Sequence, residues 1–148
     1  MSDLSDVPIH DITTDRISLR YLVEAYAFGC DALDADVLRR CFAEGATLTV
    51  HWIGRDATTM TFPEGADHIA ASLDRYDRTL HFVGNHRADI DGDDATGITY
   101  CFAHHISGTE DHVMAIRYHD RYRRHADCWR IIERNLHLDW TQDTQVST

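Results

Sequence analysis

The sequence predicts an α+β fold, with three helices in the first half of the chain packed on one face of a curled, mostly antiparallel sheet. Three observations carry this prediction. Apolar residues recur at helical spacing over residues 17–29. From residue 46 the pattern switches to the alternation of half-buried strands. The second half then holds four long β-rich runs separated by short turn-forming clusters.

Residues 1–13 are polar and aperiodic, and are expected to form an arm that is loose or lies on a neighbouring subunit. Thr14 with Asp15 can cap the first helix, in which Ile17, Tyr21, Leu22, Ala25, Tyr26 and Gly29 share a face. Asp34 or Asp36 opens a shorter helix through Val37, Leu38, Cys41 and Phe42, which Glu44 and Gly45 end. Residues 46–53 alternate and are rich in β-branched types, so a strand should run to about Gly54, followed by a polar loop over 54–62. Pro63 suits the first turn of a third helix, from 64 to about 76, with Ile69, Ala70 and Leu73 facing inward. Two β-rich runs flank Asp91, Gly92, Asp93 and Asp94, so residues 78–105 read as a hairpin. After a turn over 106–111, strands over 112–124 and 128–140 are joined by His125, Ala126 and Asp127. The polar tail from Thr141 is expected to be loose.

At 148 residues the chain fits one domain with a single core, about 14–140. Fourteen basic side chains against 25 acidic ones leave a formal charge of −11, which repels a phosphate backbone or an anionic membrane surface. Nucleic acid and membrane are therefore excluded as expected partners. The basic, aromatic-bearing run over 117–124 reads as a solvated strand face. No secretory leader and no apolar run of the ~20 residues a membrane helix needs is apparent, so a soluble, cytoplasmic protein is expected. Cys30, Cys41, Cys101 and Cys128 form no Cys-x-x-Cys pair and read as four mostly buried thiols.

The hairpin carries the candidate chemistry. Alternation groups His81, Val83 and Asn85 on one strand and Tyr100, Phe102 and His104 on the next, so that one histidine from each strand can look into one space. Eleven histidines invite a metal reading, but only the adjacent His104 and His105 and scattered single histidines occur, without the short ligand spacings of zinc or iron sites. No metal and no cofactor is expected. Phosphate-binding glycine loops, nucleophile elbows and paired glycosidase carboxylates have no counterpart here.

Several motifs together resemble a known family: Tyr26-Ala-x-x-x-Asp31-x-x-Asp34, Gly65-x-x-x-Ile69, Thr79-x-His81-x-x-x-Asn85, Asp91-Gly-Asp-x-Ala95, Tyr118-x-Asp-x-Tyr122 and Trp129-Arg-Ile-x-x-Arg134. Their order and spacing are similar to the SnoaL-like branch of the nuclear transport factor 2-like superfamily, over about residues 14–140. The resemblance implies a cone-shaped α+β barrel in which three helices close a strongly curved sheet around a deep, mostly apolar pocket. Relatives include scytalone dehydratase, bile-acid dehydratase and hexachlorocyclohexane dehydrochlorinase, which eliminate water or hydrogen chloride without a cofactor, alongside polyketide cyclases and noncatalytic binding members. The dehydratases' helical aspartate falls on Asp31, their catalytic histidine on His81 and a tyrosine on Tyr26. Their second polar strand residue falls on His104 by spacing, although a one-residue slip exchanges it with His105. The open sheet face implies a homo-oligomer, trimer or dimer.

Histidine is the side chain whose ordinary pKa best suits proton abstraction near neutral pH. A carboxylate at Asp31 accepting the Nδ1 proton of His81 would hold one tautomer and stabilise the imidazolium formed in the reaction. His81 would return the proton to the departing hydroxyl, and Tyr26, with His104 or Tyr100, would donate to a carbonyl or enolate oxygen. Tyr100, Asn85, Phe102 and Trp52 are candidate substrate contacts. Arg117 breaks the apolar alternation of its strand and either meets an anionic substrate group or, more simply, sits exposed. The expected function is a cofactor-independent lyase or isomerase, dehydratase-like, acting on a hydrophobic, cyclic, hydroxylated or ketonic small molecule. The alternatives are a noncatalytic small-molecule-binding protein and a structural oligomer subunit like the small subunit of ring-hydroxylating dioxygenases.

Overall fold

A computed structural model describes residues 13–147, so all but the last residue of the expected N-terminal arm lies outside the described residues. The chain forms α1 (Thr13–Asp31), α2 (Ala35–Cys41), β1 (Phe42–His51), β2 (Thr58–Thr61), α3 (Glu64–Leu73), β3 (Arg78–Asp91), β4 (Asp94–Ser107), β5 (Glu110–His125) and β6 (Cys128–Gln145). The strands make one six-stranded sheet in the order β2-β1-β6-β5-β4-β3. Every neighbouring pair is antiparallel except β1 with β6. This is the α+β class read from the sequence. No described helix is long and apolar enough to cross a membrane.

Helix α1 buries Leu19, Leu22, Val23, Tyr26, Ala27, Gly29 and Cys30. Of the face read from the sequence, Leu22, Tyr26 and Gly29 are buried, whereas Ile17 and Tyr21 are exposed at 64% and 72%, because the helix is turned so that Leu19 and Val23 face the interior instead. Thr14 and Asp15 lie inside the helix rather than capping it. The Asp15 carboxylate instead accepts from Arg124 (2.7 and 2.8 Å) and the Trp129 indole (3.0 Å), joining the start of α1 to β5 and β6. Leu33, at φ 54°, reverses the chain after α1. Gly29 makes this tight corner possible, because a Cβ there would stand 3.1 Å from the Leu38 and Val37 side chains. Asp34 then caps α2, its Oδ1 accepting the Val37 N–H at 2.9 Å.

Four boundaries differ from the sequence reading, each for a tertiary reason. Phe42 opens β1 rather than closing α2, because its ring stacks on Phe62 at 3.7 Å and main-chain bonds link Gly45 and Ala46 to Phe62. The expected loop over 54–62 contains β2, whose β-branched threonines pair with 47–50 of β1. Helix α3 stops at Leu73, short of Tyr76. The tail from Thr141 is not loose: β6 continues to Gln145, pairing residues 141–145 with 110–114 of β5. A ladder is made by main-chain groups, so polar side chains do not prevent it once a partner edge is in place.

Candidate active site

Strand β3 is an edge of the sheet, with main-chain groups on its outer side that no strand satisfies. Helix α1 supplies the missing partners. Arg20 donates to the carbonyls of Val83 and Gly84, and at the other end of the helix the Asp31 carboxylate accepts the His81 N–H (2.9 Å to Oδ2), the Thr79 hydroxyl (2.9 Å) and the His81 ring through Nδ1 (2.7 Å to Oδ1). Asp31 is thus anchored by backbone and side chains together. The His81 side chain is only 7% accessible and that of Asp31 28%.

Partial burial pushes the Asp31 carboxyl up, but the His81 ring and main-chain N–H and the Thr79 hydroxyl outweigh it, so its pKa lies below the ordinary carboxylate value. An ionised Asp31 can only accept. The proton on His81 is therefore on Nδ1, and Nε2 carries the free lone pair.

His81 lines a cavity of about 710 Å³ enclosed by the sheet, α1, α3 and the β1–β2 segment. Its lining includes Leu48, Val50, Met114, Ile116, Leu136 and Leu138, the buried Tyr26, Cys30, Ile69 and Tyr118, and the half-buried Trp52, Leu73 and Tyr76. Asp31 stands behind His81 rather than on the wall. Tyr26 is buried at 4% exposure, and burial holds its phenol well above the ordinary value, so it stays protonated.

The second strand histidine on this wall is His105, not His104, and His68 of α3, which the sequence did not single out, also lines the cavity. The two-residue turn places Asp91 opposite Asp94, and counting back from there would set His81 against His104. An extra residue at 84–85 slips the register, so Val83 faces Cys101 and His81 faces Ala103. One residue of slip exchanges the sheet faces. His104 therefore points to the outer face, where its Nδ1 meets Asp111 at 2.6 Å. The same bulge removes Asn85 from the His81 face. Tyr100, Phe102 and Asn85 border an outer groove beside Trp140 and Arg117 rather than the cavity, and Arg117 pairs with Asp139 at 2.6 Å. Of the expected substrate contacts, only Trp52 lies on the cavity.

His105 sits edge-on to His81 with ring centroids 5.7 Å apart. Its Nδ1 is 3.1 Å from the His112 carbonyl, which can only accept, so Nδ1 carries the proton here too. Burial pushes its pKa down to about 4, with proximity to His81 acting in the same direction against the His112 contact. His105 is a neutral acceptor near pH 7.

Beneath the cavity, Arg134 is fully buried and held in a fork by Asp120 (2.7 Å twice), which also accepts from the Tyr122 hydroxyl. The guanidinium lies 4.3 Å from the centre of the Tyr26 ring and 4.2 Å from that of Tyr118, so it fixes two aromatic side chains of the cavity. Among the described residues no group of three or more His, Cys, Asp or Glu side chains is placed to hold a metal ion.

A cone-like α+β fold with a helix-borne carboxylate behind a strand histidine defines a recognisable class. The model of the SnoaL-like domain matches residues 11–135, and the chain belongs to that family. Solved structures with the same fold include the Kfla4162 protein from Kribbella flavida (TM-score 0.81, 24% identity, 89% of this chain and 95% of that one). Another is hexachlorocyclohexane dehydrochlorinase LinA type 3 from Novosphingobium barchaimii (0.78, 22%, 90% and 92%). A scytalone dehydratase-like protein of Novosphingobium aromaticivorans is also similar (0.75, 17%, 92% and 91%). In sequence the chain is 27% identical over 135 residues to the uncharacterized protein Rv2910c of Mycobacterium tuberculosis, covering 89% of this chain and 90% of that protein.

Proposed function

We propose that the protein is a cofactor-independent lyase or isomerase in which His81 is the base and Asp31 its orienting partner. The observation that carries this reading is the 2.7 Å contact between His81 Nδ1 and Asp31 Oδ1, made by a histidine on the cavity wall. Nε2 of His81 takes a proton from a carbon of the substrate. The electron pair left behind forms a carbon–carbon double bond as hydroxide departs from the neighbouring carbon, and the imidazolium returns its proton to that oxygen, so water leaves and His81 is restored. In an isomerisation the same proton returns to another carbon. Asp31 stabilises the transient positive ring. Tyr26, protonated and buried, is the donor to a carbonyl or enolate oxygen. His105 cannot act as an acid near neutrality and accepts from a substrate hydroxyl instead. The mostly aliphatic and aromatic wall suits a hydrophobic, cyclic molecule. A pocket that only bound its ligand would need no carboxylate–histidine pair beside it.

The test screens hydroxylated polycyclic and polyketide-like compounds for thermal stabilisation, then follows any hit for turnover. Replacing His81 by alanine should keep the stabilisation and lower turnover by about 10²–10⁴-fold. Unchanged turnover would remove the lyase reading and leave the binding one. For assembly, the reading is a homo-oligomer joined through the outer sheet face, where Leu80, Phe82, Ile98, Tyr100, Phe102 and Trp140 are exposed, Phe82 to 66%.

A further inference from the structure

Resting on the cavity as the substrate site, the geometry points to a substrate with an ionised acid group, carboxylate or phosphate, held at the cavity mouth by Arg55 and Arg75. Both arginines line the cavity, one from the segment between β1 and β2 and the other from the segment after α3. Both are exposed, and neither has a carboxylate within 4.0 Å among the described residues. Eight of the other arginines form ion pairs, among them Arg117–Asp139, Arg123–Asp94 and Arg124–Asp15, while Arg16, Arg40, Arg78 and Arg130 form none among the described residues and lie off the cavity lining.

The two rim arginines are also held in place. The Arg55 guanidinium lies over the Trp52 ring, 3.8 Å from its centre. Arg75 lies 4.8 Å from the centre of the Tyr76 ring and donates to its hydroxyl at 2.8 Å. A guanidinium resting on an aromatic ring keeps N–H groups directed outward in its own plane, where a carboxylate or phosphate oxygen can accept them, and loses little freedom when one arrives. The mouth is a local reversal of a chain whose formal charge is −11. Glu64 is the acidic side chain among the lining residues, and it forms no ion pair with either arginine, so two guanidinium charges stand against one carboxylate at the rim. The wall behind it is apolar. An amphipathic acid fits that gradient, its hydrocarbon body reaching His81 while its charge stays at the wetter rim.

Calorimetric titration with 2-naphthylacetate, 2-naphthyl phosphate and neutral 2-naphthylacetamide tests this. At least one acid should bind the wild type about tenfold more tightly than the amide, an excess that shrinks with added salt. In an Arg55→Gln, Arg75→Gln double variant the acid-to-amide ratio should fall to within about twofold of unity. The ratio is read in each protein, so any general loss of cavity affinity cancels, and the tighter acid distinguishes carboxylate from phosphate. Equal binding of amide and acids by the wild type, or a preference that survives in the double variant, would overturn the inference while the cavity reading stands. Binding of none of the three would overturn both.

Discussion

His81 and Asp31 meet because an edge strand needs hydrogen-bond partners and the last residue of α1 carries a carboxylate. Both, with Thr79 beside them, were visible in the sequence as residues matching a family pattern; that the Thr79 hydroxyl and the His81 main-chain N–H donate to Asp31 was not, since no spacing rule reports which way an edge strand's amides and hydroxyls face. The choice between His104 and His105 was beyond sequence reasoning for a plainer reason. It depends on a single extra residue near Gly84, and a bulge leaves no reliable mark in a strand pattern. The burial of His105 has a measurable consequence. With its pKa near 4 in the folded chain against an ordinary 6.5, the unfolded chain takes up a proton over that interval that the folded chain refuses. Stability therefore falls as the pH drops from about 6.5 toward 4, by up to roughly 3 kcal/mol from this group, and levels off below. Urea titrations across that range should show a shallower fall for a His105→Gln variant. Parallel curves would place the protonation elsewhere.

The helices and the four long strands follow from hydrophobic period and turn chemistry, which act locally. What escaped was set by contacts between distant segments: β2 exists because β1 offers an edge, residues 141–145 because the start of β5 does, and the parallel β1–β6 pairing closes the sheet order without any local signal. The buried Asp120–Arg134 fork links β5 and β6 beneath the cavity. Its residues stood in the family motifs, but their burial did not. Removing one member leaves a charge without its counterion in the core, so Asp120→Ala should destabilise by about 3–5 kcal/mol in chemical denaturation, and adding Arg134→Met should recover much of the loss. A loss under about 1 kcal/mol for Asp120→Ala would mean that water reaches the guanidinium.

Taken as a whole, the molecule sets the His81–Asp31 pair and the cavity on the inner side of the sheet and leaves exposed aromatic rings on the outer side. Phe102 packs against Trp140 with centroids 5.6 Å apart, and both remain about half exposed. If that surface joins copies of the chain, light scattering should give a dimer or trimer that a Phe82→Asp, Phe102→Asp variant breaks into monomers. A monomeric wild type would contradict this assembly.

The pairing of a sheet imidazole with a helix carboxylate is most directly tested by a double-mutant cycle on turnover of whichever compound the screen yields. Asp31→Asn and His81→Ala should each reduce kcat by about 10²-fold or more, and the two together should do no worse than His81→Ala alone, because Asp31 acts only through His81. Losses that multiply would contradict the account, since the two side chains would then be working independently.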